Sequence, residues 1–232
     1  MFTSWAGMLL VDKPQGYTSH DVVAVLRKRL PRGTKVGHCG TLDPMATGLL
    51  MLLVGPWTRL QSRFQGLDKV YSGVIRLGVK TDTGDVTGKE LENKPVPALT
   101  LAALQKAMDK RHGRVESAAP AYSAVKHEGR KLYEYAREGL EVPVKPRVCE
   151  VREWKALSYA APDLSFWLKC SSGTYVRSLA EILGEDLGCG GTVAALRRES
   201  VDRYSVADAL PGEQLKTIPI EELKRRLDAT TL

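Results

Sequence analysis

The chain has 232 residues, enough for one large domain or two small ones, and 43% of them are apolar, which is ordinary for a globular protein. Lys and Arg number 34 against 27 Asp and Glu, a net charge of +7 that suits a polyanionic partner. No stretch reaches membrane-spanning length, and the first residues show no long apolar run with a basic flank. The four cysteines show no Cys-x-x-Cys pair and no metal-ligand spacing with the four histidines, so a cytoplasmic protein with free thiols, no metal and no redox cofactor is expected.

The segment from Gly7 to Val11 reads as a short buried strand and Lys13-Pro14-Gln15-Gly16 as a turn. Thr18 or Ser19 can then cap a helix through Leu30, with Val22, Val23, Leu26 and Leu30 on one face and Pro31 and Gly33 ending it. Arg27, Lys28 and Arg29 close that helix, where cations complement its dipole. The run from Gly37 to Gly48 is a glycine-rich loop holding one carboxylate, Asp43, and the unbroken apolar run Leu49–Val54 behind it must be buried. Pro44 biases Asp43 towards extended geometry and so fixes the direction in which its side chain is offered. Val70–Leu77 reads as a strand, 80–94 as a polar surface loop, and Thr100 as the cap of a helix to about Arg111. A shorter helix is expected over Lys131–Glu138, and strands over Val148–Leu157 and Leu164–Cys170 around an Ala-Ala-Pro-Asp turn. Tyr175–Leu187 is an amphipathic helix with Val176, Leu179, Ile182 and Leu183 inward, and Ile220–Leu227 a last one. Strands and helices are interspersed without a regular βαβ period, which favours an α+β class.

Gly37-His38-x-Gly40-x-Leu42-Asp43-Pro44-x-Ala46-Thr47-Gly48 resembles the catalytic motif of the TruB family of tRNA pseudouridine synthases. Five other segments, in the family's order, extend the resemblance over roughly the first two hundred residues. They are Leu10-Val11-Asp12-Lys13-Pro14-Gln15-Gly16; Lys69-Val70-Tyr71 with Leu77-Gly78 and the Thr81-Asp82-Thr83-Gly84-Asp85 turn; Pro120–Lys126 running to Gly139; Gly173-Thr174-Tyr175-Val176-Arg177-Ser178-Leu179; and Leu196-Arg197-Arg198.

The resemblance implies the pseudouridine synthase fold, a mixed, largely antiparallel sheet flanked by helices with a central active-site cleft. It implies isomerisation of uridine 55 in the T-loop of tRNA, with Asp43 as the essential nucleophile. Arg177 matches the arginine that pairs with the nucleophile, holding in a desolvated pocket a charge that burial alone would neutralise. Tyr71 and Tyr175 match the active-site tyrosines, Tyr71 stacking on the target base with proton transfer as a second candidate role, and Tyr175 lining the pocket. Leu196 matches an apolar wall, His38 a histidine inserted among T-loop bases, and Lys13 an anchor for the loop or a phosphate. Cys39 stands where the family favours a threonine or another small residue.

Through Gln65 the only acids are Asp12, Asp21 and Asp43, set against Lys13, Arg27, Lys28, Arg29, Arg32, Lys35, Arg59 and Arg63. Beside such a loop, an RNA-backbone track is preferred to a merely solvated basic face. The catalytic domain is expected to cover residues 1–204. Residues 205–232 would form a helical extension too short for the RNA-binding PUA domain with which many relatives end. The expected partner is the T-arm of tRNA, with neither a membrane nor an obligatory protein partner. A guide-RNA-dependent synthase of the dyskerin type and a non-enzymatic tRNA-folding chaperone are the alternatives.

Overall fold

The computed structural model describes residues 5–140 and 142–229. In chain order the strands and helices are β1 (Gly7–Lys13), α1 (Ser19–Arg29), β2 (Val36–Cys39), β3 (Thr47–Val54), α2 (Gln61–Gln65), β4 (Lys69–Leu77), β5 (Val79–Thr81) and β6 (Glu90–Asn93). There follow α3 (Leu101–Asp109), β7 (Gly113–Ser117), β8 (Lys126–His127), β9 (Arg130–Lys131), α4 (Leu132–Arg137), β10 (Arg147–Ala160) and β11 (Asp163–Cys170). The chain closes with α5 (Val176–Asp186), β12 (Gly191–Val201), β13 (Tyr204–Ser205), β14 (Leu210–Pro211) and α6 (Ile220–Ala229). These elements fall into two compact units: residues up to Lys69 together with those from Arg197 onward, and Val70–Leu196.

In the first unit the strand order is β14-β1-β3-β12, with β2 also on β3 and β13 on β12. The apolar run of β3 is explained by burial on both faces. Leu50, Leu52 and Val54 pack with Leu9, Val22, Leu26 and Leu223, beneath α1 and α6. Leu49, Met51 and Leu53 pack on the other side with Met8, Cys39, Phe64 and Val201. Thr18 caps α1 through a capping box with Asp21, whose carboxylate accepts from the Thr18 amide at 2.9 Å while the Thr18 hydroxyl accepts from the Asp21 amide at 3.0 Å. The segment after Tyr204 belongs to this core. β14 pairs in parallel with β1, and Leu210, Leu215, Ile218, Leu223 and Leu227 are buried with the α1 face.

In the second unit the order is β12-β4-β11-β10-β7. The β10–β11 hairpin carries Trp154 opposite Leu168 and Ala156 opposite Phe166, with two irregularities in register. Leu104 and Met108 of α3 and Leu179 and Leu183 of α5 are fully buried. The polar stretch 80–94, expected as a loop, is partly a hairpin in which β5 pairs with β6. All four β6 residues are exposed, so no apolar alternation marks the strand. The result is the expected α+β architecture, with a large, mostly antiparallel sheet and flanking helices.

Candidate active site

Unit one carries Lys13, His38 and Asp43; unit two carries Tyr71, Tyr175, Arg177 and Leu196. The Asp43 loop joins β2 to β3, and its backbone is tied down at almost every step. The Asp43 carbonyl accepts from the Ala46 amide at 3.1 Å, closing a turn with Pro44 at its second position. The buried Ser19 hydroxyl accepts from the Leu42 amide at 2.8 Å and donates to the Leu42 carbonyl at 3.2 Å. The Pro44 carbonyl accepts from the Gly16 amide at 2.8 Å, joining the loop to the Lys13–Gly16 turn.

Two buried cations complete the anchoring. Lys13 is wholly buried and its ammonium donates to the carbonyls of Tyr17 at 2.6 Å, Pro14 at 3.0 Å and, more weakly, Pro44 at 3.4 Å. Burial pushes its pKa down to about 8, against the opposing pull of Asp43, and the nearby Arg198 lowers it further. Arg198, 1% exposed, donates from Nε to the Leu49 carbonyl at 2.7 Å and from Nη2 to the Gly40 carbonyl at 3.2 Å. It therefore grips both the loop and the strand that follows. β12 runs in parallel beside the start of β3, Arg198 opposite Gly48. A Cβ on Gly48, at φ +102°, would meet the Arg198 carbonyl at 2.3 Å, so only glycine lets the strands approach. The neighbouring Arg197 forks onto Asp12 at 2.7 and 3.0 Å.

His38 lies on β2, half-buried, with its carbonyl accepting from Gln61 Nε2 at 3.0 Å. Burial and the charge of Arg198 lower its pKa, against a backbone hydrogen bond with Gly40 that raises it, so the imidazole is neutral near pH 7. A neutral aromatic ring is suited to stacking. Cys39, next to it, points into the core, and burial raises its thiol to about 12; it packs there and supplies no thiolate.

In unit two, Arg177 sits in the first turn of α5, 4% exposed, directly after Tyr175 and Val176. Its Nη1 donates to the Thr83 carbonyl at 2.6 Å and its Nη2 to the Tyr122 carbonyl at 3.0 Å, with Asp85 Oδ2 4.0 Å from Nη1. One guanidinium thus joins α5, the Thr81–Asp85 turn and the Pro120–Lys126 segment, three stretches that look unrelated along the chain. Asp85 is buried and accepts at Oδ1 from the Thr83 hydroxyl at 3.0 Å, the Thr87 amide at 3.0 Å and the Thr87 hydroxyl. Gly84, at φ +74°, keeps the turn against α5, where a Cβ would lie 3.1 Å from both Arg177 Cβ and Glu181 Oε1. Tyr71 on β4 and Leu196 on β12 are each 8% exposed and lie on neighbouring strands; Tyr175 is half-buried at the α5 N-terminus.

Ser19, Asp85 and Arg198 have parts in this architecture that sequence reasoning does not assign. The one available signal is that Asp85 and Arg198 lie inside family-like motifs without a role. Among the described residues, no three His, Cys, Asp or Glu side chains are grouped to hold a metal ion, and no helix is long and apolar enough to cross a membrane.

A family profile described as TruB family pseudouridylate synthase (N terminal domain) matches residues 27–176. A tRNA pseudouridine synthase B of Opitutus terrae is 46% identical over 221 residues, covering 95% of this chain and 91% of that protein. Another, of Endomicrobium trichonymphae, is 45% identical over 204 residues, 88% of each chain. Among solved structures, a chain of a Cbf5–Nop10–Gar1 complex superposes with a TM-score of 0.68 at 25% identity over 88% of this chain. The match covers 52% of that chain, so this chain spans about half its length.

Proposed function

This chain belongs to the TruB family of pseudouridylate synthases, and on that footing we propose that it isomerises uridine 55 in the T-loop of tRNA with Asp43 as nucleophile. It is an isomerase. The reaction breaks the N1–C1′ glycosidic bond, turns the uracil and joins C5 to C1′; the proton on C5 leaves and N1 regains one. Nothing is oxidised or reduced and no group is added, so the chemistry calls for a nucleophile, a place to turn the ring and a route for a proton.

The observation that carries this reading is the anchoring of the Asp43 loop. Buried Ser19, Lys13 and Arg198, with the Gly16 amide, fix the backbone on either side of a single carboxylate, which is what a nucleophile held ready for attack requires. We assign Arg177 to the carboxylate. Its bonds to the Thr83 and Tyr122 carbonyls fix the guanidinium plane before substrate arrives, so a forked pair costs little further ordering. Tyr71 takes one face of the extruded uracil, recovering part of the few kcal/mol, roughly, that unstacking costs. Tyr175 and Leu196 wall the pocket, neutral His38 fills the gap left in the T-loop, and Lys13 anchors the loop.

The relatives at 45–46% identity carry tRNA in their names, whereas the chain from the Cbf5–Nop10–Gar1 complex stands at 25%. This favours a synthase that recognises tRNA without a guide RNA. Because C5–H must be broken, a T-arm stem–loop tritiated at uridine C5 should release tritium to solvent in step with turnover. Retention of the label, or release from every uridine alike, would refute the proposed reaction at one T-loop site.

A further inference from the structure

The cations around α1 differ in what their side chains hold. Lys13 and Arg29 are committed to backbone carbonyls, Arg29 to those of Leu215, Lys216 and Ile218 at the C-terminal side of the core. Arg27 spends Nη2 on the Val36 carbonyl at 3.3 Å. Arg32 and Lys35, on the exposed turn after α1, make no side-chain hydrogen bond or ion pair among the described residues. Of the three acids through Gln65, Asp12 is held by Arg197 and Asp21 by the α1 cap.

Arg32 and Lys35, with the partly committed Arg27, open onto a groove of about 690 Å³ within unit one. Arg27, Arg32 and Lys35 line one part of it, Thr58 and Gln61 another, and the backbone at Gly37 also contributes. No acid and no aromatic ring lines it. Leu30, Pro31 and Val36 supply its apolar part, and its cations, hydroxyls and amide, with no acid among them, suit the anionic oxygens along an RNA strand. It also leads to the proposed site: Gly37 precedes His38 on β2, and Gln61 holds the His38 carbonyl.

We propose that this groove is a phosphodiester track for the RNA strand that adjoins the nucleotides met by His38, with Arg32 and Lys35 as its principal phosphate ligands. The proposal rests on the tRNA reading above and gives one patch the task of seating the substrate strand. Arg29, which sequence alone groups with the RNA-facing cations, is excluded from that task because its guanidinium is spent on the C-terminal segment.

The test is equilibrium binding of a T-arm stem–loop RNA to the full chain between 50 and 200 mM salt, with isomerisation kinetics in parallel. In Arg32→Gln with Lys35→Gln, two lost phosphate contacts should make the log K against log[salt] slope shallower by about 1.4–1.8. That corresponds to roughly tenfold less affinity lost across the salt range. KM should rise about tenfold or more while kcat at saturating RNA stays close to that of the wild type. Lys106→Gln with Lys110→Gln, an exposed pair at the C-terminal end of α3, removes the same charge elsewhere and should move neither quantity. An unchanged slope in the groove variant, or an equal change in the control, overturns the groove. A shallower slope in a protein that binds RNA but isomerises no uridine would support the groove and refute the function.

Discussion

Replacing Arg198 by methionine tests the anchoring scheme at its most buried point. The change keeps the bulk of the stem and removes a guanidinium that donates to the Leu49 and Gly40 carbonyls from a site 1% exposed. Each charge-assisted bond contributes about 1.5–3 kcal/mol. Part of that is returned because a buried cation no longer has to be desolvated, and the carbonyls left behind are neutral, unlike a broken ion pair. The net loss should be about 2–4 kcal/mol, and at roughly 2–4 °C per kcal/mol for a chain of this size the melting temperature should fall by about 4–16 °C. Arg198 also depresses the pKa of both His38 and Lys13, so both values should rise in the variant, His38 being readable by NMR titration of its imidazole. Turnover should drop further than stability, because Gly40 and the start of β3 flank the Asp43 loop. Thermal melts, the His38 titration and single-turnover kinetics on one preparation give all three readouts. A melting temperature within about 1 °C of the wild type together with an unmoved His38 would refute the role given to Arg198.

Three further outcomes follow from the same geometry. Arg177→Lys retains the charge but cannot hold the Thr83 and Tyr122 carbonyls and fork onto a carboxylate together; kcat should fall at least a hundredfold with RNA affinity little changed, and near-normal turnover would refute the orienting role. Tyr71→Phe should bind RNA normally; a loss of turnover below about tenfold supports stacking alone, while a much larger one gives the hydroxyl a part in proton transfer. Lys13 has a folded pKa of about 8 against 10.5 unfolded, so between those values the unfolded chain holds a proton that the folded chain has released. This group's contribution to stability therefore rises with pH across that window, by at most roughly 3 kcal/mol, and is flat below it. The stability difference between wild type and Lys13→Met should shift in favour of the wild type from pH 8 to 10, and a flat difference profile would contradict the burial of a charged ammonium.

Much of the fold is legible along the chain where one face or both are apolar. The run Leu49–Val54, the stripe of α1 and the strands flanking 160–163 all behave as their periodicity suggests, because burial dictates the pattern. β12 is harder to read. Its Arg197-Arg198-Glu199-Ser200 stretch looks like surface, yet Arg198 is among the largest fully buried side chains. β6 is hidden for the opposite reason, since nothing in it is buried. The identities of Asp43, Tyr71, Tyr175 and Arg177 come from motif resemblance, and no periodicity singles them out. Their supports are silent in sequence because Lys13, Arg177 and Arg198 bond mainly to carbonyl oxygens, which every residue carries. Arg29 shows the converse: three adjacent basic residues read as one patch, but the fold gives one of them a structural post among residues 215–218.

The central claim is that Asp43 performs the isomerisation at one uridine of tRNA, and site mapping tests it most directly. Unmodified tRNA is incubated with the wild type and with Asp43→Asn, and pseudouridine is located by carbodiimide-induced stops in reverse transcription. A single new stop at uridine 55 with the wild type, none with the variant, and RNA affinity within a few-fold between the two is the expected result. A stop elsewhere, no stop at all, or an undiminished stop in the variant would contradict it.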